Sequence, residues 1–101
     1  MKVNFDVVLK DLDGQPIVEL DAKKNELPVT LKLIAVRALT GMLEEDRSMT
    51  GEQSFKRLEL ARKVHAGGEG ELDPADAVLI RDRTAKFYGP LVSGQVYELL
   101  K

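Results

Sequence analysis

The chain has 101 residues, a net charge of −2 and neither cysteine nor tryptophan. Its length fits one domain, and the lack of cysteine excludes disulfide scaffolds, cysteine-ligated zinc and thiol nucleophiles. The balanced charge lacks the basic excess of a dedicated nucleic-acid binder, and no run of about 18 apolar residues predicts a membrane span. We therefore expect one soluble globular domain, residues 1–101, without a signal peptide.

The N-terminal part of the chain predicts a two-stranded β-hairpin over residues 1–22. Apolar and polar side chains alternate from Val3 to Leu9, which is typical of a strand with one buried face. The dipeptide Asp13-Gly14 is favoured in two-residue type I′ turns. Such a turn would pair Leu9 with Val18 and Val7 with Leu20, and would bury these four side chains on one face.

Two helices are predicted after a polar connection at residues 23–28. Thr30 is the expected N-cap of a helix from Leu31 to about Leu43. Residues 44–48 are charged and predict a solvated break. Thr50 and Gln53 then form a capping-box pattern that begins the second helix, and Gly67-Gly68 ends it. Its apolar residues at helical spacing are Phe55, Leu58, Ala61 and Val64, followed by His65.

Two further helices complete the predicted fold. Asp73 and Pro74 are typical of an N-cap and a first helical position, and this helix should run to about Tyr88. Pro90 begins a last helix that runs to Leu100. The fold class is therefore α+β, an N-terminal two-stranded hairpin with about four short helices, residues 30–101, packed on it.

No catalytic or metal-binding pattern is visible in the sequence. His65 is the single histidine, and one imidazole does not support a zinc site. It falls in the last turn of the second predicted helix, where the helix dipole favours a charged imidazole. The glycine-rich segment 67–70 lacks the lysine of a phosphate-binding loop. We predict a protein that is not an enzyme, with no catalytic residue, cofactor, bound metal or small-molecule substrate.

Basic side chains are concentrated on the second and third predicted helices. Acidic residues occupy the same helices at spacings that allow ion pairs, so an ordinary solvated surface is favoured. The alternative function is that of a nucleic-acid-associated accessory factor. It would use Lys56, Arg57, Arg62, Lys63, Arg81, Arg83 and Lys86 to contact phosphates.

The fourth predicted helix carries more apolar side chains than one core-facing stripe requires. Val92, Val96 and Leu99 form such a stripe, and other apolar residues lie off it. One interpretation is that the whole helix completes the core. The other, which we favour slightly, is a contact surface for a protein partner or a second copy. That surface would consist of Tyr88, Leu91, Tyr97 and Leu100.

Three segments resemble small proteins encoded by tailed bacteriophages and prophages. They are residues 11–17 (DLDGQPI), residues 71–73 at the start of the third predicted helix, and residues 88–100 (YGPLVSGQVYELL). Proteins of that family are mostly uncharacterised, so the resemblance transfers no catalytic residues. It implies a protein of the bacterial host cytoplasm during infection or lysogeny. We therefore expect an assembly or accessory factor that acts through protein–protein contacts, or an inhibitor of a host or defence protein.

Overall fold

Four α-helices and four three-residue strands make up the regular structure of the chain. The computed structural model describes residues 1–101 and has an α+β fold with two small antiparallel sheets. The strands are β1 (Lys2–Asn4), β2 (Val18–Leu20), β3 (Glu26–Pro28) and β4 (Glu69–Glu71). The helices are α1 (Leu31–Thr40), α2 (Gly51–His65), α3 (Pro74–Phe87) and α4 (Pro90–Leu100), with a 3₁₀ helix, Glu44–Ser48, between α1 and α2.

The first strand pairs with a distant segment of the chain rather than with the next strand. β1 lies antiparallel to β4, with Val3 opposite Gly70, and β2 pairs with β3. A Cβ atom on Gly70 would lie 3.0 Å from the ring of Phe5, so the missing side chain lets this buried ring approach β4. The predicted pairing of residues 1–22 as one continuous hairpin is therefore wrong, and the predicted connection 23–28 contains β3.

The chain reverses at residues 11–15 through a three-residue loop rather than the predicted two-residue turn. The side-chain Oδ1 of Asp11 accepts backbone N–H bonds from Asp13 and Gln15, both at 2.9 Å. The backbone N–H of Asp11 donates to the carbonyl of Gln15, and Gly14 has a positive φ of 81°. This Asp-centred turn fixes the local conformation by side-chain-to-backbone bonds, which the type I′ preference of Asp13-Gly14 does not include.

The longer loop changes the register after the turn. Lys10 lies opposite Pro16. From Val18 onward the chain no longer pairs with the segment before the turn, and β2 pairs with β3 instead. A shift of register exchanges the faces of a strand. Leu9 is buried as predicted and Val7 is half-buried. The predicted burial of Val18 and Leu20 is wrong, because these side chains are 45% and 65% exposed.

The same turn recurs at Asp21. Its Oδ1 accepts backbone N–H bonds from Lys23 at 2.8 Å and Asn25 at 2.9 Å, and its own N–H donates to the carbonyl of Asn25. Lys24 occupies the position of Gly14 and has a φ of 63°. The two turns bring three chain segments together, and Leu9, Ile17 and Val29 join them in a closed ring of backbone hydrogen bonds of 2.8–2.9 Å.

The outer edge of the first of these segments is covered by a side chain of α4. The backbone N–H of Lys10 donates to Oε1 of Gln95 at 2.9 Å, and Nε2 of Gln95 donates to the Lys10 carbonyl at 2.7 Å. These are the two bonds that a residue of a neighbouring strand would form. Gln95 thus attaches α4 to the N-terminal part of the fold.

Local capping signals place the helix starts where they were predicted. Thr30 accepts the N–H of Leu33 at 3.2 Å, and Thr50 and Gln53 form the reciprocal bonds of a capping box. α1 ends at Thr40 rather than near Leu43. The backbone turns away at Gly41, where an added Cβ would lie 2.7 Å from the ring of Phe87.

The core is a single cluster of sixteen buried residues from the N-terminal segments and all four helices. α2 contributes Leu60, Ala61 and Val64 to it. Phe55 and Leu58, which were predicted on the same stripe, are instead 59% and 41% exposed. α2 is rotated so that its Leu60 side faces the core, which leaves two apolar side chains on the surface.

Candidate functional site

The outward side of α4 and the turn beside it carry several exposed apolar groups, which we call the α4 face. It consists of Leu91, Gly94 and Tyr97 together with Leu12 at the tip of the first turn. Leu12 is 94% exposed, Tyr97 56% and Leu91 41%. A groove of about 520 Å³ separates the turn from the helix. It is lined by Leu12, Pro90, Leu91, Gly94, Gln95 and Glu98.

The structure keeps part of the predicted contact surface and removes part of it. Leu91 and Tyr97 lie on the α4 face, and the guanidinium of Arg81 stacks on the Tyr97 ring at 4.8 Å. Leu100 is only 2% exposed, so it belongs to the core with Val96 and is not part of a surface. Tyr88 is half-buried against the core. Leu12 was missed because a turn residue so far from α4 in sequence gives no local sign of lying beside it.

A second exposed apolar surface lies between α1 and α2, and we call it the α1–α2 groove. Met42 is 63% exposed and Leu58 41%, and Met49 is half-buried between them and the 3₁₀ helix. Two adjoining hollows of about 230 and 170 Å³ share Thr40 and Leu58 in their linings. Methionine side chains are flexible and adapt to differently shaped partners.

A polar cleft adjoins this groove between the 3₁₀ helix and α2. The Arg57 cleft, named after its central cation, has a volume of about 480 Å³. Met49 and Arg57 line both the cleft and the groove, so the two are continuous. The other lining residues of the cleft are Glu45, Asp46, Ser48, Gln53, Lys56 and Leu79.

Asp46, which lines the cleft, belongs to a buried ion pair. Arg83 of α3 donates from Nη1 and Nη2 to the two carboxylate oxygens of Asp46, both at 2.9 Å. Its Nε and Nη2 also donate to the backbone carbonyls of Ala38 and Gly41 at 2.8 and 2.9 Å. Both charged side chains are at most 3% exposed. One arginine therefore fastens α3 to the end of α1 and to the 3₁₀ helix.

Asp46 is held in its charged form by several donors. The hydrogen bonds from Arg83 and the N–H of Leu43 hold the pKa of Asp46 well below its usual range, with a smaller contribution from Arg57. Residues 44–48, predicted as a solvated break, thus include a buried carboxylate. Sequence reasoning missed it because a run of charged residues is usually solvated, and its partners lie on two other helices.

The predicted basic surface is largely neutralised by neighbouring groups. Arg83 is buried, so it is removed from any surface that nucleic acid could reach. Arg57 binds Asp46, Lys86 binds Glu45, and the remaining ion pairs on α2 are Lys56–Glu52 and Arg62–Glu59. Lys63 is exposed on α2, and Arg81 lies against Tyr97. Only the Lys56–Glu52 and Arg62–Glu59 pairs match the intrahelical spacing noted in the sequence, whereas Arg57 and Lys86 bind carboxylates of the 3₁₀ helix.

The structure has no group of three or more histidine, cysteine or carboxylate side chains that could hold a metal ion. His65 is the last residue of α2 and is exposed. No helix combines the length and apolar character needed to cross a bilayer. Comparison of the chain with protein-family models, curated proteins and solved structures gives no match.

Proposed function

We propose that this protein is not an enzyme and acts by binding another protein through its α4 face. The observation that carries the proposal is the exposure of Leu12 and Leu91 on one groove, with Tyr97 exposed on the same helix. Single exposed apolar residues are common on protein surfaces, but grouped ones mark contact sites.

The chemistry of the α4 face suits a protein partner. Tyrosine combines a large apolar ring with a hydroxyl that tolerates water, and it is enriched in interfaces. Gly94 lies between Leu91 and Tyr97 on the helix, and apart from its chain neighbours and the backbone of α4 no atom lies within 4 Å of the position where its Cβ would be. A partner side chain can therefore reach the helix backbone between the two apolar groups.

The role we propose is that of an assembly or accessory factor, and the resemblance to phage proteins adds a phage-infected bacterium as its setting. Inhibition of a host or defence protein is a narrower form of the same proposal. Protein binding is favoured over nucleic-acid binding because most of the basic side chains of α2 and α3 already meet carboxylates, Lys63 and Arg81 being the exceptions.

The test compares Tyr97→Asp with Phe55→Asp in affinity capture from infected host cells and in sedimentation velocity. The two aromatic residues have similar exposure, 56% and 59%, and Phe55 lies on α2 outside the α4 face. We expect Tyr97→Asp to abolish the captured complex or the self-association, and Phe55→Asp to retain it. A wild-type protein that is monomeric and captures no protein would contradict the proposal.

Salt dependence separates the two classes of partner. Apolar contacts of the α4 face should persist when salt is raised from low to moderate concentration, whereas phosphate-driven binding falls steeply. Capture of nucleic acid that is lost at moderate salt would favour the alternative function.

A further inference from the structure

We infer that the α1–α2 groove and the Arg57 cleft together bind an apolar segment of a partner protein that carries a carboxylate. This surface is distinct from the α4 face, because no residue lines both. The inference does not rest on binding at α4 and can hold or fail independently of it.

The first argument is a charge imbalance around Asp46. Its single carboxylate binds both Arg83 and Arg57. The nearby Glu45 pairs with Lys86 and lies 4.0 Å from Nη1 of Arg83, while Lys56 has its own partner in Glu52. Lys56 and Arg57, which line the cleft, are matched in number by its carboxylates Glu45 and Asp46. The connected ion pairs, however, join three cations, Arg57, Arg83 and Lys86, to these two carboxylates. One positive charge is left without a matching carboxylate.

The second argument is the position of Arg57. Its Nη1 donates to Oδ1 of Asp46 at 2.8 Å, which uses one of the five N–H donors of a guanidinium. The side chain is 23% exposed, so it reaches the cleft and is also partly shielded from water. A carboxylate that binds there would form a charge-assisted bond in an environment less screened than an open surface.

The third argument is the adjoining apolar surface. Met49 and Arg57 line both the cleft and the adjoining hollow that Met42 and Leu58 also line. An occupant that places a carboxylate at Arg57 therefore has apolar contacts immediately beside it. A free phosphate or a nucleic-acid backbone has no apolar group for this groove, whereas a peptide with leucine next to glutamate has both.

The experiment is an NMR titration of the full chain labelled with ¹³C at its methionine methyl groups. The probes are two synthetic peptides blocked at both ends, one with two leucines flanking glutamate and one with glutamine in its place. We expect the Met42 and Met49 methyl signals to shift and Met1 to serve as the internal reference. The glutamate peptide should bind about tenfold more tightly than the glutamine peptide.

The matched variants are Arg57→Gln and Arg47→Gln. Arg47 loses the same charge from an exposed pair with Glu44 and does not line the groove or the cleft. In Arg57→Gln the two peptides should bind with about equal affinity, whereas in Arg47→Gln the preference for the glutamate peptide should persist.

The wild-type comparison decides the proposal even if Arg57→Gln folds poorly. Equal affinity of the wild type for both peptides, or no shift of Met42 and Met49 with either one, would overturn it. A shift of these methyl groups by oligothymidylate but not by the glutamate peptide would identify a phosphate site instead, and the proposal would be wrong.

Discussion

Two arginine–carboxylate pairs in this fold share one geometry and differ in their surroundings. Arg37 of α1 binds both oxygens of Glu19 of β2 at 2.6 and 2.8 Å, and these side chains are 44% and 40% exposed. Arg83 binds both oxygens of Asp46 at 2.9 Å, and these side chains are 3% and 2% exposed. The first pair fastens a strand to a helix in contact with water, and the second fastens two helices and a 3₁₀ helix inside the protein.

The comparison teaches that the number of hydrogen bonds between the two ions does not determine how much an ion pair contributes to the free energy of unfolding. Water solvates Arg37 or Glu19 when either partner is lost, so an exposed pair contributes about 0–1 kcal/mol. Loss of Arg83 removes two donors from the buried Asp46 carboxylate, which keeps only the Leu43 N–H and Arg57, and it removes the side-chain donors to the carbonyls of Ala38 and Gly41. This costs far more. We therefore expect the two pairs to respond very differently to mutation, pH and salt.

The largest effect is expected for Arg83→Met. The substitution keeps a long apolar side chain but removes the donors to Asp46, Ala38 and Gly41. We expect the free energy of unfolding to fall by about 3–5 kcal/mol in urea denaturation. The control is Arg37→Met, for which the expected loss is about 1 kcal/mol or less. Similar losses for the two variants would show that burial does not distinguish the pairs.

The next effect is on acid stability. Because hydrogen bonds from Arg83 lower the pKa of Asp46, its contribution to stability is complete above the unfolded-state pKa of about 3.9. The contribution is lost as pH falls from that value toward the folded-state pKa. We expect Asp46→Asn to be destabilised near neutral pH and to lose stability less steeply with acid than the wild type. Urea midpoints measured from pH 7 down to pH 2 check this.

The exposed pair provides the acid control. The Arg37 hydrogen bonds lower the pKa of Glu19 as well, so its contribution has the same sign and also falls with acid. Glu19→Gln should change the decrease of the urea midpoint with falling pH less than Asp46→Asn does, since solvent screens Glu19. A larger change for Glu19→Gln would reverse the ranking of the two pairs.

A double-mutant cycle on Glu19 and Arg37 should give a small coupling energy. We expect about 0.2–1 kcal/mol at low salt and a value near zero in about 1 M NaCl, where the Debye length is about 3 Å. The variants are Glu19→Gln, Arg37→Gln and their combination, measured by urea denaturation. A coupling that persists in high salt would mean that this pair is shielded from solvent.

The smallest effect, of opposite sign, is expected for Lys24→Gly. This change also removes a positive charge, but Lys24 has a φ of 63°, where a side chain is unfavourable. We expect a gain of about 0.5 kcal/mol in the free energy of unfolding, the relief of strain being partly offset by the greater freedom of unfolded glycine. Thermal unfolding of Lys24→Gly and Lys24→Ala separates the effect of strain from the effect of charge, because alanine removes the charge and keeps the strained conformation.

The helices could be predicted from the sequence better than the sheets. The signals for the helix starts act within one turn of the backbone, so their effect is visible locally. Thr30 and Thr50 cap their helices, and Pro74 fits the first helical position. Alternating apolar residues indicate that a strand has two faces, but they do not identify its partner, and β1 pairs with β4 at the other end of α2. Leu91 and Tyr97 could be predicted as exposed from the excess of apolar residues on α4.

The remaining features depend on contacts between distant segments. Asp46, Arg57 and Arg83 have no shared spacing in the sequence, and the packing of both α2 and α3 against α1 brings them together. The positive φ of Lys24 could not be predicted from the sequence either, because lysine, unlike glycine, does not indicate that conformation. Two local signals also failed, the two-residue turn at Asp13-Gly14 and the end of α1 near Leu43. The other failures concerned a partner that lies far away in the sequence.

The side chain of Gln95 has a consequence for the behaviour of the protein at high concentration. An unpaired strand edge can act as a template on which a strand of another molecule adds, which is the first step toward fibrous aggregates. The Gln95 amide binds both the backbone N–H and the carbonyl of Lys10. Pro16, which lies opposite Lys10, has no backbone N–H that could pair with an added strand. Helix α4 thereby leaves neither the N–H nor the carbonyl of Lys10 free to pair with a strand of another molecule.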